Sequence, residues 1–287
     1  MKIAGWLACS VFGLGLPVAA LPASAQTFDG GLAGYCQYIA PPGSDQPFTL
    51  TVSIPAGRTV HVAVVTSTNV TLGSVSDAAN DPYTVVGGGV SGAFTGSLLV
   101  GEVASPLPSG NSITVHLTST GGGGTSCASA FLASGLLATA DQNGFTTGSG
   151  ATASVTTPPL GSAHELVQAV LFGSPTGSDP TAARVPPLVD AGSNVCVGTS
   201  SGRLCSYGSY AVLESADPFT ATINLGNGMS WGFAFATFGA PEPSASLLGI
   251  ASLGALVAWK RRRARAPAQA LGRERRLPVP ASRSSTT

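Results

Sequence analysis

Phe48-Thr49-Leu50-Thr51-Val52-Ser53-Ile54 alternates apolar and polar residues without a break. A strand turns successive side chains to opposite faces. This period of two therefore puts Phe48, Leu50, Val52 and Ile54 on one side and the hydroxyls on the other. That is the pattern of a half-buried strand in an antiparallel sheet. Working outward, similar segments recur at Thr59–Thr66, Val70–Ser76, Tyr83–Gly87, Gly96–Ala104, Ser112–Thr118 and Cys127–Ser134. They continue at Ala151–Thr157, Glu165–Phe172, Tyr207–Glu214, Phe219–Asn224 and Ser230–Phe238. Most are rich in Val, Thr, Ile or Phe, and Gly, Pro, Asn and Asp punctuate the intervals. In the last one, Trp231, Phe233 and Phe235 share a face before the pattern shifts at Phe238. No segment carries a strong helical period, although Phe131–Thr139 reads either way. Dense short strands without alternating helices predict an all-β fold, an antiparallel β-sandwich or jelly-roll-like body. No internal repeat or second domain shows in the sequence, so residues 26–240 are expected to form one sandwich.

Only 9% of the 287 residues are charged, where about 25% is usual, so few charges remain for any surface function. The formal charge of zero averages unlike parts. Residues 26–240 contain Arg58, Arg184 and Arg203 against eleven Asp and Glu, a formal charge of −8. An acidic body repels phosphate backbones, which argues against nucleic acid as a partner. Lys2 aside, the other bases cluster from Lys260 onward, where they suit anionic lipid headgroups.

Both ends read as targeting segments. Met1-Lys2 precedes the apolar run Ile3–Leu21, and Ala23-Ser24-Ala25 has the small-x-small pattern that signal peptidase accepts. Residues 1–25 are therefore expected to be a signal peptide, cleaved after Ala25 and taking Cys9 with it. At the far end Pro241-Glu242-Pro243 precedes the apolar stretch Ser244–Trp259, followed at once by Lys260-Arg261-Arg262-Arg263. As a helix, residues 244–259 would span about 24 Å, short of the ~30 Å hydrocarbon core. Trp259 at the interface and a snorkelling Lys260 extend that reach. The expectation is a single transmembrane helix held in the inner membrane, with the basic stop on the cytoplasmic side. Residues 264–287, rich in Arg, Pro, Ser and Ala, are expected to be a disordered basic tail.

This order of triplet, apolar helix and Arg-rich stop over Pro241–Arg263 resembles the PEP-CTERM sorting signal of Gram-negative bacteria that make extracellular polysaccharide. The resemblance implies recognition and processing by an exosortase-type membrane protease, and a destination at the cell surface or outside the cell. The segment also carries an "ice-binding protein C-terminal" label, which describes a sorting tag and does not show ice binding. Such proteins usually end a few residues after the Arg cluster, whereas this chain continues to Thr287. The body also resembles a sandwich module of secreted bacterial surface proteins. The matching stretches are Val75–Tyr83, Ser112–Val115, Glu165–Val167 and Trp231…Phe238. That likeness implies a fold and a non-catalytic surface role.

Cys36, Cys127, Cys196 and Cys205 remain after signal removal. An even number in an exported chain implies disulfides, and four cysteines allow three pairings. Cys196 and Cys205 flank Gly198–Gly202 closely enough for a bridge across a hairpin. Cys36–Cys127 would then tie the N-terminal segment to the sandwich. The alternative is a metal site, but no C-x-x-C or His pair accompanies them, and none is expected.

Motifs for chemistry are sparse, and no catalytic residue or cofactor is expected. Gly198-Thr199-Ser200-Ser201-Gly202 matches G-x-S-x-G, but a nucleophile elbow needs a strand before it and a helix after it. His61 and His116 lie within candidate strands, where each is expected as an outward-facing polar residue, and His164 stands just before one. The acids could supply a glycosidase pair, which needs carboxylates ~5–10 Å apart in space. Asp77-Ala78-Ala79-Asn80-Asp81 offers oxygens to a calcium ion, yet it lacks EF-hand spacing and reads as a turn. No fixed T-x-T repeat suggests an ice-matching face. Trp231 is expected in the core. These readings favour a structural or adhesive matrix protein, with a carbohydrate-binding or polysaccharide-active protein of the biofilm matrix as the alternative.

Overall fold

The computed structural model describes residues 27–198 and 203–240. The first part of the chain forms β1 (Thr27–Ile39), β2 (Gly43–Thr49), β3 (Thr59–Ser67), β4 (Val70–Asp77), β5 (Tyr83–Ser91), β6 (Phe94–Glu102), β7 (Ser112–Ser119) and β8 (Gly124–Ser134). The second forms β9 (Gln142–Thr156), β10 (Glu165–Pro175), β11 (Ala182–Arg184), β12 (Val189–Val197), β13 (Leu204–Leu213) and β14 (Thr220–Phe238). Strand pairing is antiparallel, and no helix occurs among the described residues. The all-β expectation holds, and the segment Phe131–Thr139 resolves as strand up to Ser134.

The body is one topology used twice. In the first half, one sheet runs β1-β8-β3-β6-β5 and a smaller one β2-β7-β4. The second half runs β9-β14-β10-β13-β12. The far ends of its two long strands continue into a second group of three. There Thr152–Thr156 pair with Thr220–Asn224, and β11 pairs with the opposite edge of β14 at Ile223–Leu225. Strand for strand the orders coincide. β9 answers to β1 plus β2 and β14 to β7 plus β8, while β10, β11, β12 and β13 answer to β3, β4, β5 and β6. Where the first half interrupts its strands, at Ala40–Pro42 and Thr120–Gly123, the second runs on through a register shift between Asn224 and Met229. The body, one compact unit, thus contains two β-sandwich-like halves, related by strand order and not by sequence repeat.

Three apolar clusters separate four layers. Val60, Val62, Val64 and Ala130 of the first large sheet meet Phe48, Val75, Ile113 and Val115 of the small one. The opposite face, with Val65, Leu98, Phe131 and Ala133, meets Val170, Phe172, Ala234 and Phe238 of the second large sheet. The far side of that sheet, with Leu171, Tyr207, Trp231 and Phe233, is covered by Ala153, Val155, Ala221 and Ile223. Both large sheets are therefore buried on two faces.

This layering accounts for the apparent shift at Phe238. Pairing of β14 with β10 runs unbroken from Met229 to Phe238. Its odd positions 231, 233 and 235 face one core, while Ala234, Ala236 and Phe238 face the other. Trp231 packs in the core, as expected.

The opening stretch behaves differently from its pattern. Phe48, Leu50 and Ile54 are buried, but the strand ends at Thr49 and Val52 is 55% exposed. Beyond Asn111, the facing segment runs back through Gly110 and Ser109 to Pro108-Leu107-Pro106, and proline has no amide to donate. Only the bridge between Ile54 and Leu107 re-forms the pairing, so Thr51–Ser53 leave the sheet. Strands β1, β11 and β12 had no sequence signal. Gly30, Gly31 and Gly34 obscure the pattern of β1, which is bulged where it pairs with β8.

Both expected disulfides form, Cys36–Cys127 and Cys196–Cys205. Each joins residues directly opposite one another on paired strands, β1 with β8 and β12 with β13.

Candidate functional site

A polar constellation with the makings of chemistry lies on the outer face of β2-β7-β4. Ile113, Val115 and Leu117 of β7 point into the core, so strict alternation turns Thr114, His116 and Thr118 outward. Asp45 of β2 stands directly opposite His116, because Gln46 and Phe48 take the inward positions. On β4, Val70 faces inward at the start and Val75 faces inward near the end, a change of parity. The extra residue is Gly73, at a bulge between Leu72 and Ser74. It turns Ser74 and Ser76 toward the face that His116 occupies.

Here His116 Nδ1 lies 2.9 Å from Asp45 Oδ1 and His116 Nε2 lies 2.7 Å from Ser76 Oγ. A carboxylate can only accept, so Nδ1 is the donor to Asp45. Nε2 of the neutral ring is then an acceptor, and Ser76 donates to it. The side chains of His116 and Asp45 are 40% and 60% exposed, so the group is open to solvent. Chemically it can draw the hydroxyl proton of Ser76 onto an oriented imidazole. Alternation alone placed His116 on a polar face. Ser76 and Asp45 were missed because their approach depends on cross-strand register and on the bulge, neither of which is local in the sequence.

The other histidine in a strand has the opposite surroundings. His61 of β3 is fully buried between the two large sheets, stacked on Phe131 at 4.8 Å and edge-on to Phe238 at 4.5 Å. Its Nε2 lies 3.1 Å from Thr59 Oγ1. Burial, opposed only by the Gln168 side chain, pushes its pKa down to about 3. It is a neutral core residue, unlike the outward position expected for it. His164 is exposed, with φ of 65°.

The Asp77–Asp81 loop is a turn held by its own carboxylates. Asp77 Oδ1 accepts from the amides of Ala79 and Asp81, at 2.9 and 3.1 Å, and Oδ2 accepts from the Tyr83 hydroxyl at 3.3 Å. Asp81 Oδ2 accepts from the amide of Ala104. Asn80 supplies the left-handed corner at φ 60°. Burial, reinforced by Asp77, raises the Tyr83 phenol pKa well above its usual value.

A cleft of about 640 Å³ opens at one end of the body, where Tyr38, Ser67, Asn69, Ser91, Ser174 and Ser230 contribute to its lining. Among the described residues, none that lines it carries a charge. Tyr38 is 59% exposed and donates its hydroxyl to the Gly122 carbonyl.

Asp179, Cys196 and Cys205 also converge, but both sulfurs are spent in the disulfide. Other expected site residues lie outside the described residues. These are Ala23 and Ala25 of the cleavage site, Pro241, Glu242 and Pro243 of the sorting motif, and Lys260, Arg261, Arg262 and Arg263 of the basic stop. Ser200 of the G-x-S-x-G match, from which no chemistry is expected, also lies there. The expected membrane helix over 244–259 falls there too. Among the described residues no helix is long and apolar enough to cross a membrane. No protein-family model, no curated protein and no solved structure matches the chain.

Proposed function

We infer that the chain is an exported surface or extracellular-matrix protein with a structural or adhesive role, sorted by an exosortase-type system. The observation that carries this reading is the pair of disulfides in a body whose large sheets are covered on both faces. Disulfides persist in oxidising compartments. A double sandwich with few charges and a stapled first strand is suited to long life outside the cell. The orders β1-β8-β3-β6 and β2-β7-β4 of the first half support a jelly-roll-like reading of it. Residues 1–25 would direct export. The helix over 244–259 would hold an inner-membrane intermediate until processing near Pro241–Pro243 releases or transfers the body.

The test is intact and peptide mass analysis of the protein recovered from the cells that make it. The expected product begins at Gln26 and ends near Glu242. Recovery of Ser244–Thr287 still joined to the body would overturn the sorting account.

The uncharged cleft favours a second reading, adhesion through neutral extracellular polysaccharide. Hydroxyl and amide groups beside an exposed aromatic ring suit sugar hydroxyls and the apolar faces of sugar rings. Calorimetric titration with neutral oligosaccharides should show saturable heat that Tyr38→Ala reduces. Equal heats for both proteins would remove the cleft from the account.

A further inference from the structure

We propose that Ser76, His116 and Asp45 work as a nucleophile relay that hydrolyses acyl esters on the outer face of β2-β7-β4. The substrate class is short O-acyl groups carried on a polymer. His116 engages a partner through each of its ring nitrogens. Nδ1–H is given to the Asp45 carboxylate at 2.9 Å, and the lone pair of Nε2 faces Ser76 Oγ at 2.7 Å. A polar contact would be satisfied by either nitrogen. Here each nitrogen meets the group that base catalysis requires: the nucleophile on one side and the orienting carboxylate on the other. Both distances lie within reach for proton transfer.

Two further observations set the substrate. Strand β4 is the outer strand of its sheet, so alternate amides along it lie outside the ladder, and it is from this edge that the relay would draw a donor for the developing oxyanion. The relay also lies open on a sheet face, with His116 40% exposed. An open face suits an ester presented on a bulky chain better than a small molecule that must be enclosed.

In the first step Ser76 Oγ attacks the ester carbonyl and its proton passes to His116 Nε2. The tetrahedral intermediate collapses with cleavage of the ester C–O bond, and the departing alkoxide takes that proton. Water then attacks the acyl-serine, giving its proton to His116. Collapse of this second intermediate releases the carboxylic acid and returns the proton to Ser76. Ser76 and His116 are the catalytic residues, while Asp45 acts through His116 as a positioning residue.

The activity lies beyond the surface role and is tested on purified full-length protein, so the two ideas fail separately. The protein is treated with a reporter-bearing fluorophosphonate, which bonds to an activated serine with loss of fluoride, and the labelled peptide is mapped. Turnover of p-nitrophenyl acetate is measured in parallel. The expected result is label on Ser76, none in Ser76→Ala, and at least tenfold slower labelling in His116→Gln. Asp45→Asn should lower kcat at least tenfold with KM little changed, a split that a purely structural role would not produce. Absence of label from Ser76 in the unaltered protein would overturn the proposal. So would labelling of His116→Gln at the unaltered rate.

Discussion

Two histidines in candidate strands have opposite fates, decided by which face each occupies. His116 sits on an alternating strand with one wet face, and the alternation could be read directly. His61 sits in Val60-His61-Val62-Ala63-Val64-Val65, a nearly continuous apolar run that marks a strand buried on both sides. Its neutral form is held in the fold because the charged form would lose its water. The folded-state pKa is lowered, so the unfolded chain takes up the proton first. This contribution to stability is complete above about pH 6.5 and is lost as pH falls toward 3, by at most about 1.4 kcal/mol per pH unit. Urea unfolding between pH 7 and pH 4 should therefore show a steeper acid loss for the unaltered protein than for His61→Leu. Parallel curves for the two would refute it.

A second residue-scale prediction concerns Gly96 of β6. A Cβ there would stand 2.2 Å from Cε1 of Phe172, a fully buried ring from the other half. Gly96→Ala should cost about 1–3 kcal/mol through overpacking. Phe172→Leu, which shortens the obstructing side chain, should make the alanine less costly. A double-mutant cycle in thermal unfolding measures that coupling.

At the scale of elements, the sequence revealed strands best where one face is wet. Ser112–Thr118 matches β7 because each polar residue has a place to point. The irregular strands stayed hidden because tertiary contacts replace local pattern. β12 shows how: its register shifts between Asp190 and Asn194, and the shift is held by Arg184 of β11. The Arg184 side chain is only 8% exposed. It donates to Ser209 Oγ at 2.7 Å, to Asn194 Oδ1 and the Gly208 carbonyl at 2.8 Å, and to Asp190 Oδ1 at 3.2 Å. One cation thus fastens β11, β12 and β13, and removing it leaves several acceptors short of a donor. Arg184→Ala should cost about 2–4 kcal/mol, and Arg184→Lys should recover little, because one ammonium cannot reproduce a planar fork. Equilibrium unfolding of both variants gives the comparison. Nothing local in Ala182-Ala183-Arg184 announces this role, since its partners come from two later strands.

For the whole molecule, duplication without sequence repeat explains why the body reads as one sandwich of many strands. The halves share strand order but fuse their strands differently, so no period survives in the chain. Each half has its own core, yet Leu98, Phe131, Val170, Phe172 and Phe238 belong to the cluster between them. Separating the halves would expose that apolar face, and a patch of this kind drives association. The intact body should accordingly unfold in one transition with equal calorimetric and van't Hoff enthalpies, and two resolved transitions would show that the shared cluster does not couple the halves. The two disulfides then act on a single equilibrium, but unequally. Cys36–Cys127 closes a loop with sequence separation 91 and Cys196–Cys205 one with separation 9. Chain-entropy reasoning assigns the longer loop about 4.6 kcal/mol and the shorter about 2.7. Cys36→Ser with Cys127→Ser should therefore lower stability by roughly 2 kcal/mol more than Cys196→Ser with Cys205→Ser. Urea midpoints at a common slope measure the difference, and an equal loss from both pairs would show that native contacts around β1, rather than loop closure, set the value of its bridge.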